Sequence, residues 1–269
     1  MKFCALLAGD TPGLARFRAE NSEETNWARF RDDGNRYVEL ADALSKRQRG
    51  ICAFCEARLF TEIPTPARQV EHWIPKSNGG NPRPEITFGF TNFHASCLGG
   101  IKPHLRPPFG TSGLAKGDNV SCGQKKGDVS PDSFLIANRP YRPTELPLSP
   151  PIFSVQFDGT LEVNPDAISA GLSADRIAAT ISYLGLNCDR LKIARAAVRQ
   201  YLNDELARYE SEVTDLDPLD AVRSAMTQLA NHLSPTPGKT LVGFITVLRD
   251  FFGPALDGSL LPDPDWAFD

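Results

Sequence analysis

The sequence predicts an α+β protein in which a small zinc-stapled core of short strands and loops is embedded in a mostly helical chain. Three observations predict this class. Cys52-Ala53-Phe54-Cys55 is followed by Cys97 and Cys122, which together offer four thiolates to one tetrahedral ion. The stretch 51–142 is interrupted by Pro75, Gly79, Gly80, Pro82, Pro84, Gly99, Gly100, Pro103, Pro107 and Pro108, so it has room only for short elements. Both flanks carry apolar residues at helical spacing.

Residues 1–50 read as an N-terminal helical segment. Within it, 35–49 places Tyr37, Leu40, Ala41 and Leu44 on one helical stripe, and Gly50 supplies the stop. Residues 51–142 form the loop-rich segment, which buries too little apolar surface to hold itself and is the part that needs a metal staple. Residues 143–269 begin in a proline-rich stretch and continue into a hairpin plus a helical region. In 152–164 (IFSVQFDGTLEVN) apolar and polar residues alternate around Asp158-Gly159, which predicts a β-hairpin with a type I′ turn. Helices are expected over 174–184, over 188–213 with Asn187 as cap, over 218–233 and over 239–252. On the longest of these, Leu191, Ala194, Val198, Tyr201 and Leu202 read as a core stripe.

At 269 residues the chain suffices for one large domain or two modest ones. The net charge of −4 hides an uneven distribution. Residues 46–142 carry 14 Lys/Arg against 7 Asp/Glu, whereas the flanks carry 15 against 26. The middle segment therefore suits a polyanion, the plainer alternative being that these charges solvate a loop-rich surface. The opening apolar run, Phe3 to Ala8, is shorter than the core of a secretory signal, and no stretch approaches the roughly 18 apolar residues of a membrane span. A cytoplasmic protein without a membrane segment is the expectation. Its six cysteines are then reduced thiols or metal ligands rather than disulfides, with Cys4 and Cys188 as ordinary small buried residues.

A CxxC pair alone also serves redox chemistry, but that use places it at the start of a helix in a βαβ unit, which this neighbourhood lacks. Between the cysteines lie Val70-Glu71-His72-Trp73-Ile74-Pro75-Lys76 and Thr91-Asn92-Phe93-His94. Phosphodiester hydrolysis needs a base to deprotonate water and a cation to offset the charge developing on phosphate. His72 can be the base, and Glu71 can bind a hard cation. Adjacent residues on a strand point to opposite faces, so the two share one site only if the strand twists or ends there, as Pro75 allows.

Cys52-x-x-Cys55, Glu71-His72-x-x-Pro75, Asn92-Phe93 with Cys97 five residues beyond the asparagine, and Cys122-Gly123-Gln124-Lys125-Lys126-Gly127 together resemble the zinc-framed HNH endonucleases, whose core is the ββα-metal, or His-Me finger, unit. More closely, residues 48–59 (QRGICAFCEARL), 71–77 (EHWIPKS) and 180–195 (TISYLGLNCDRLKIAR) resemble the PtuB-type HNH nucleases of Septu and retron anti-phage systems. The likeness runs over roughly residues 25–200, and its specific motifs lie in the core.

The resemblance implies a metal-dependent endonuclease acting on DNA or RNA under the control of a PtuA-like ATPase subunit. It implies His72 as general base, Glu71 as the acidic ligand of a catalytic Mg²⁺ or Mn²⁺, and Asn92 as the residue that orients the histidine. Cys52, Cys55, Cys97 and Cys122 would hold structural zinc. In many members the last two cysteines are two residues apart and an Asn or His follows at once as the third catalytic position. Here they stand 25 positions apart and Gly123 follows. Candidates for the missing ligand are Asp128, His94, His104 and Gln124, with Asp128 favoured because a carboxylate suits Mg²⁺ or Mn²⁺.

Residues 98–121 carry Lys102, His104, Arg106 and Lys116, which either touch phosphates or solvate a loop. Phe88, Phe90, Phe93 and Phe109 are equally candidates for base-stacking platforms and for core. Two other functions fit the same chain: a non-catalytic zinc-dependent nucleic-acid-binding module, and an interaction subunit built on the acidic helical half.

Overall fold

Thr11 opens the first helix: its Oγ1 accepts from the Leu14 amide (3.4 Å), and Pro12 takes the first helical position, where a missing N–H costs nothing. The computed structural model describes residues 4, 7–59, 68–100, 119–147, 149–212, 217–233 and 243–253. Helix α1 (Pro12–Glu20) turns Leu14 and Phe17 inward, and the Phe17 ring meets Phe30 of α2 (Trp27–Arg31) edge-on at 5.3 Å. Helix α3 (Gly34–Arg47) buries Leu40, Ala41 and Leu44 of the expected stripe and leaves Tyr37 half-buried. It stops where Arg49 and Gly50 both take positive φ (58° and 74°).

Strand β1 (Gln69–His72) pairs antiparallel with β2 (Phe93–Ser96), setting Glu71 opposite His94 and His72 opposite Phe93. The one-turn helix α4 (Pro84–Thr87) lies between them in the chain. After residues 101–118, which lie outside the described residues together with Lys102, His104, Arg106, Phe109 and Lys116, helix α5 (Cys122–Lys126) follows. Phe88 and Phe93 are buried and Phe90 packs on the core from its edge, so these three serve packing rather than base stacking.

The hairpin is present as β3 (Phe153–Val155) and β4 (Leu161–Val163), but its turn differs from the expected one. Gln156 N donates to Thr160 O (2.8 Å) and Gly159 N to Gln156 O (2.9 Å), so three residues form the loop. Of these only Gly159 has positive φ, whereas a type I′ turn needs it at both central positions. The chain then runs through α6 (Pro165–Ser169), α7 (Ala174–Tyr183), α8 (Asp189–Glu212), α9 (Pro218–Leu233) and α10 (Ile245–Phe252). The expected start of the last helix, 239–242, lies outside the described residues.

Two readings of α8 are corrected. Asn187 does not cap it; the Asn187 side chain instead pairs with both backbone groups of Leu161 in β4 (2.8 and 2.9 Å). Of the core stripe, Leu191, Ala194 and Leu202 are buried and Val198 is half-buried, but Tyr201 is 47% exposed. Cys4 is buried and Cys188 half-buried. One continuous cluster of buried side chains runs from Cys4 to Phe252, so the N-terminal helices, the cysteine-rich segment and the C-terminal helices share a core. Among the described residues no helix is long and apolar enough to cross a membrane.

Candidate metal centre and adjoining strand pair

The CxxC turn is built by the backbone before any metal is considered. Cys52 N donates to Ala57 O (2.8 Å), Glu56 N to Cys52 O (3.1 Å), and Glu56 takes positive φ (65°), which folds the two thiols to one side. Cys97 arrives at the end of β2 and Cys122 at the start of α5. Sulfur separations are 3.8 Å for Cys52–Cys122, 3.6 Å for Cys55–Cys97 and 3.7 Å for Cys97–Cys122, and all four Sγ atoms lie within 4.8 Å of one another. A tetrahedral ion with Zn–S near 2.3 Å spaces its sulfurs about 3.8 Å apart, so the donor set fits a metal ion such as zinc. All six cysteines are free thiols rather than disulfides.

Three remote segments brace this centre. Gln48 lies buried at the end of α3; its Oε1 accepts from Ala95 N (2.7 Å) and its Nε2 donates to Ala95 O (2.8 Å) and Ile51 O (3.0 Å). One amide thereby ties the CxxC turn to β2. The Glu56 carboxylate accepts from the amide (2.8 Å) and hydroxyl (2.7 Å) of Thr246, so a residue of the turn caps α10. Leu184 O accepts from Cys122 N (2.7 Å), and Arg190 of α8 donates through Nη2 to Ser121 Oγ (2.6 Å). Burial alone would lower the Arg190 guanidinium, but the Cys97 and Cys55 thiolates outweigh it and raise the group. Residues 180–195 thus have a structural use: they hold the Cys122 side of the centre and place a cation beside its sulfurs.

His72 and Glu71 face different neighbours, as adjacent strand residues must. The His72 ring is 3% exposed, packed edge-on against Trp27 (4.6 Å) and Phe93 (5.0 Å). Its Nε2 lies 2.8 Å from Thr87 O, and because a carbonyl only accepts, Nε2 carries the proton and Nδ1 the lone pair. Among the described residues Nδ1 has no hydrogen-bond partner. Burial holds the ring down at about 3, against the opposing pull of that carbonyl. The strand does end at His72, as a shared site requires.

Asn92 does not touch the His72 ring. Its Oδ1 accepts from Ile74 N (2.8 Å), and its Nδ2 donates to Ile74 O (2.9 Å) and Ile86 O (2.9 Å), so it frames the chain just beyond the histidine. The expected orienting contact is replaced by a backbone clamp.

Glu71 points toward α5, and among the described residues none of the expected third ligands pairs with it. Asp128 and Gln124 are exposed. His94 is buried behind Phe54, with Nε2 accepting from Arg142 Nε (3.3 Å), and burial, joined by Arg142, holds its ring at about 3. His104 lies outside the described residues. What meets Glu71 is Lys126, whose Nζ lies 3.1 Å from Oε1 and whose side chain is 1% exposed. Burial raises the Glu71 carboxyl despite the pull of Lys126. Gly123 is what makes room: a Cβ there would sit 2.5 Å from Glu71 Cδ. The motif around Cys122 held both residues, but nothing in its spacing said that Lys126 would reach a strand 55 positions away.

Fold and site together define a mixed helix-and-sheet protein with small antiparallel sheets and a buried four-cysteine cluster able to hold a metal ion such as zinc. No protein-family model and no curated protein matches the chain.

Proposed function

We propose that this protein is an HNH-type endonuclease that hydrolyses phosphodiester bonds of DNA or RNA, with zinc as a structural staple on Cys52, Cys55, Cys97 and Cys122. The observation that carries the reading is the order β1, β2, α5 with its cysteine staple, in which β1 ends at a histidine of fixed tautomer. In this reading Nδ1 of His72 takes the proton of the attacking water, while Nε2–H stays on the Thr87 carbonyl and keeps the ring from turning. Burial keeps the ring neutral at physiological pH, which leaves Nδ1 unprotonated but makes it a weak base until substrate changes its surroundings. Asn92 fixes the backbone on which the histidine is carried.

The resemblance also implies Mg²⁺ or Mn²⁺ at Glu71, where such an ion would supply Lewis-acid chemistry. The described residues do not fit one. Glu71 is a single carboxylate already paired with a lysine, and the four cysteines are the one group of three or more potential ligands found among the described residues. A toxic nuclease of this class would act as the effector subunit of an anti-phage system beside a PtuA-like ATPase, which co-purification with the product of a neighbouring ATPase gene would support.

The test is cleavage of plasmid, single-stranded DNA and tRNA by wild type, His72→Ala and the space-filling His72→Phe, with Mg²⁺, Mn²⁺ or chelator added. Both variants should retain zinc and lose cutting; cleavage by folded His72→Phe removes the histidine from the role of base. The burial of His72 favours a second reading, a non-catalytic zinc-dependent nucleic-acid-binding or interaction subunit. That reading predicts salt-sensitive binding with no cleavage by wild type under any condition.

A further inference from the structure

Glu71 stands where the resemblance expects a divalent ion, yet its surroundings are those of a site that already holds a cation. Lys126 Nζ lies 3.1 Å from Oε1 and 3.1 Å from Gly127 O, with the side chain 1% exposed. A lysine this deeply buried keeps its charge only when paired, and Glu71 is its acidic partner. Nor can the lysine swing away cheaply, because its helix is pinned. Cys122, one turn earlier on the same face, belongs to the sulfur cluster, and its amide is bound by Leu184 O (2.7 Å). On the other side, the Oε2 end of Glu71 lies over Gly123, in space that any side chain would fill. The position where the resemblance expects a ligand thus provides only clearance, and the helix that carries it delivers an ammonium instead.

We propose that Lys126 takes the place of the divalent ion at Glu71, so that this nuclease site carries its positive charge as a built-in ammonium and binds no metal there. The proposal rests on the HNH reading for the role of Glu71, but its test does not need cleavage. A divalent ion on the same carboxylate would sit about 2.0–2.2 Å from an oxygen and would share a dry pocket with the ammonium at close range. Charge repulsion therefore excludes it while Lys126 is present.

The experiment is Mn²⁺ binding followed by electron paramagnetic resonance on the zinc-loaded full chain. Zinc is silent in this method, and four thiolates favour zinc over Mn²⁺, so a bound signal reports on oxygen ligands. Wild type and Lys126→Arg, which keeps the charge, should bind no Mn²⁺ at micromolar concentrations. Lys126→Met should gain one site, at least tenfold tighter than any in wild type, and Glu71→Gln/Lys126→Met should lose it. A wild-type site that Glu71→Gln removes overturns the proposal, and this comparison decides even if Lys126→Met fails to fold. A folded, zinc-loaded Lys126→Met that gains no site overturns it equally. Cleavage is scored on the same samples, so absence of cutting with unchanged Mn²⁺ occupancy counts against the nuclease reading and not against Lys126.

Discussion

A methyl group added at Gly123 should destabilise the protein through Glu71 and Lys126 rather than through the helix that carries it. The new Cβ would lie 2.5 Å from Glu71 Cδ and 3.1 Å from Cγ. Carbon atoms prefer separations of about 3.5–4.0 Å, so the carboxylate must withdraw by about 1 Å. Gly123 and Lys126 both lie on α5, so withdrawal from that helix lengthens an ion pair now at 3.1 Å, to about 4 Å at most, the limit at which such a pair is counted. With the lysine side chain 1% exposed, no water replaces the lost contact. Removing one partner of a buried pair costs about 3–5 kcal/mol, and displacement rather than removal puts the loss in the lower part of that range. Alanine regains about 1 kcal/mol over glycine in a helix, leaving a net loss of about 2–3 kcal/mol. Urea unfolding of zinc-loaded Gly123→Ala measures it. In a Glu71→Ala/Lys126→Met background, where no carboxylate obstructs the methyl, the same substitution should be neutral or stabilising by up to about 1 kcal/mol. Equal losses in the two backgrounds, within about 0.5 kcal/mol, would refute the reasoning. Gly123→Asn, whose side chain is larger still, should cost more than Gly123→Ala.

Further expectations follow from the braces of the site. Gln48→Leu keeps the volume but strips three buried hydrogen bonds between the CxxC turn and β2, and should lower unfolding free energy by about 2–4 kcal/mol in the same urea assay. Metal analysis should find one zinc per chain in wild type, and none after Cys97→Ser or Cys122→Ser. Arg190→Met should speed zinc release to a colorimetric chelator several-fold, because it removes the cation beside the sulfurs; an unchanged release rate would remove that role. His72 and His94 both have folded values of about 3 against 6.5 unfolded. Between those limits the unfolded chain binds the extra protons, so the stability these rings contribute is complete above pH 6.5 and is lost as pH falls toward 3. At pH 5 the loss is about 2 kcal/mol per histidine. His94→Phe should flatten the fall in stability from pH 7 to pH 5 by about half, and a slope unchanged from wild type would show that the ring is not held neutral.

What the sequence by itself determined is local. The α3 stop at Gly50, the hairpin around Asp158-Gly159, the helices over 174–183 and 218–233 and the turn that joins Cys52 to Cys55 depend on neighbours a few positions apart, and their periodicity and turn chemistry are written in the residues concerned. The four-cysteine set was legible as a composition, but the closure of Cys97 and Cys122 to 3.7 Å across 25 positions was not. Capping failed where a distant partner decided it: Asn187 left its helix for Leu161, and the cap that Glu56 gives Thr246 from 190 positions earlier had no local signal. The candidate site divides in the same way. Glu71, His72 and Asn92 could be named from their order, whereas their contacts could not, because α4 brings the Thr87 carbonyl to His72, α5 brings Lys126 to Glu71 from 55 positions away, and the Asn92 amide is taken up by backbone. Gly123 shows why. In the sequence it stands where the resemblance expects a ligand; in the fold it is the space into which the Glu71 carboxylate extends. Space between segments is a property of packing, and no residue encodes it alone.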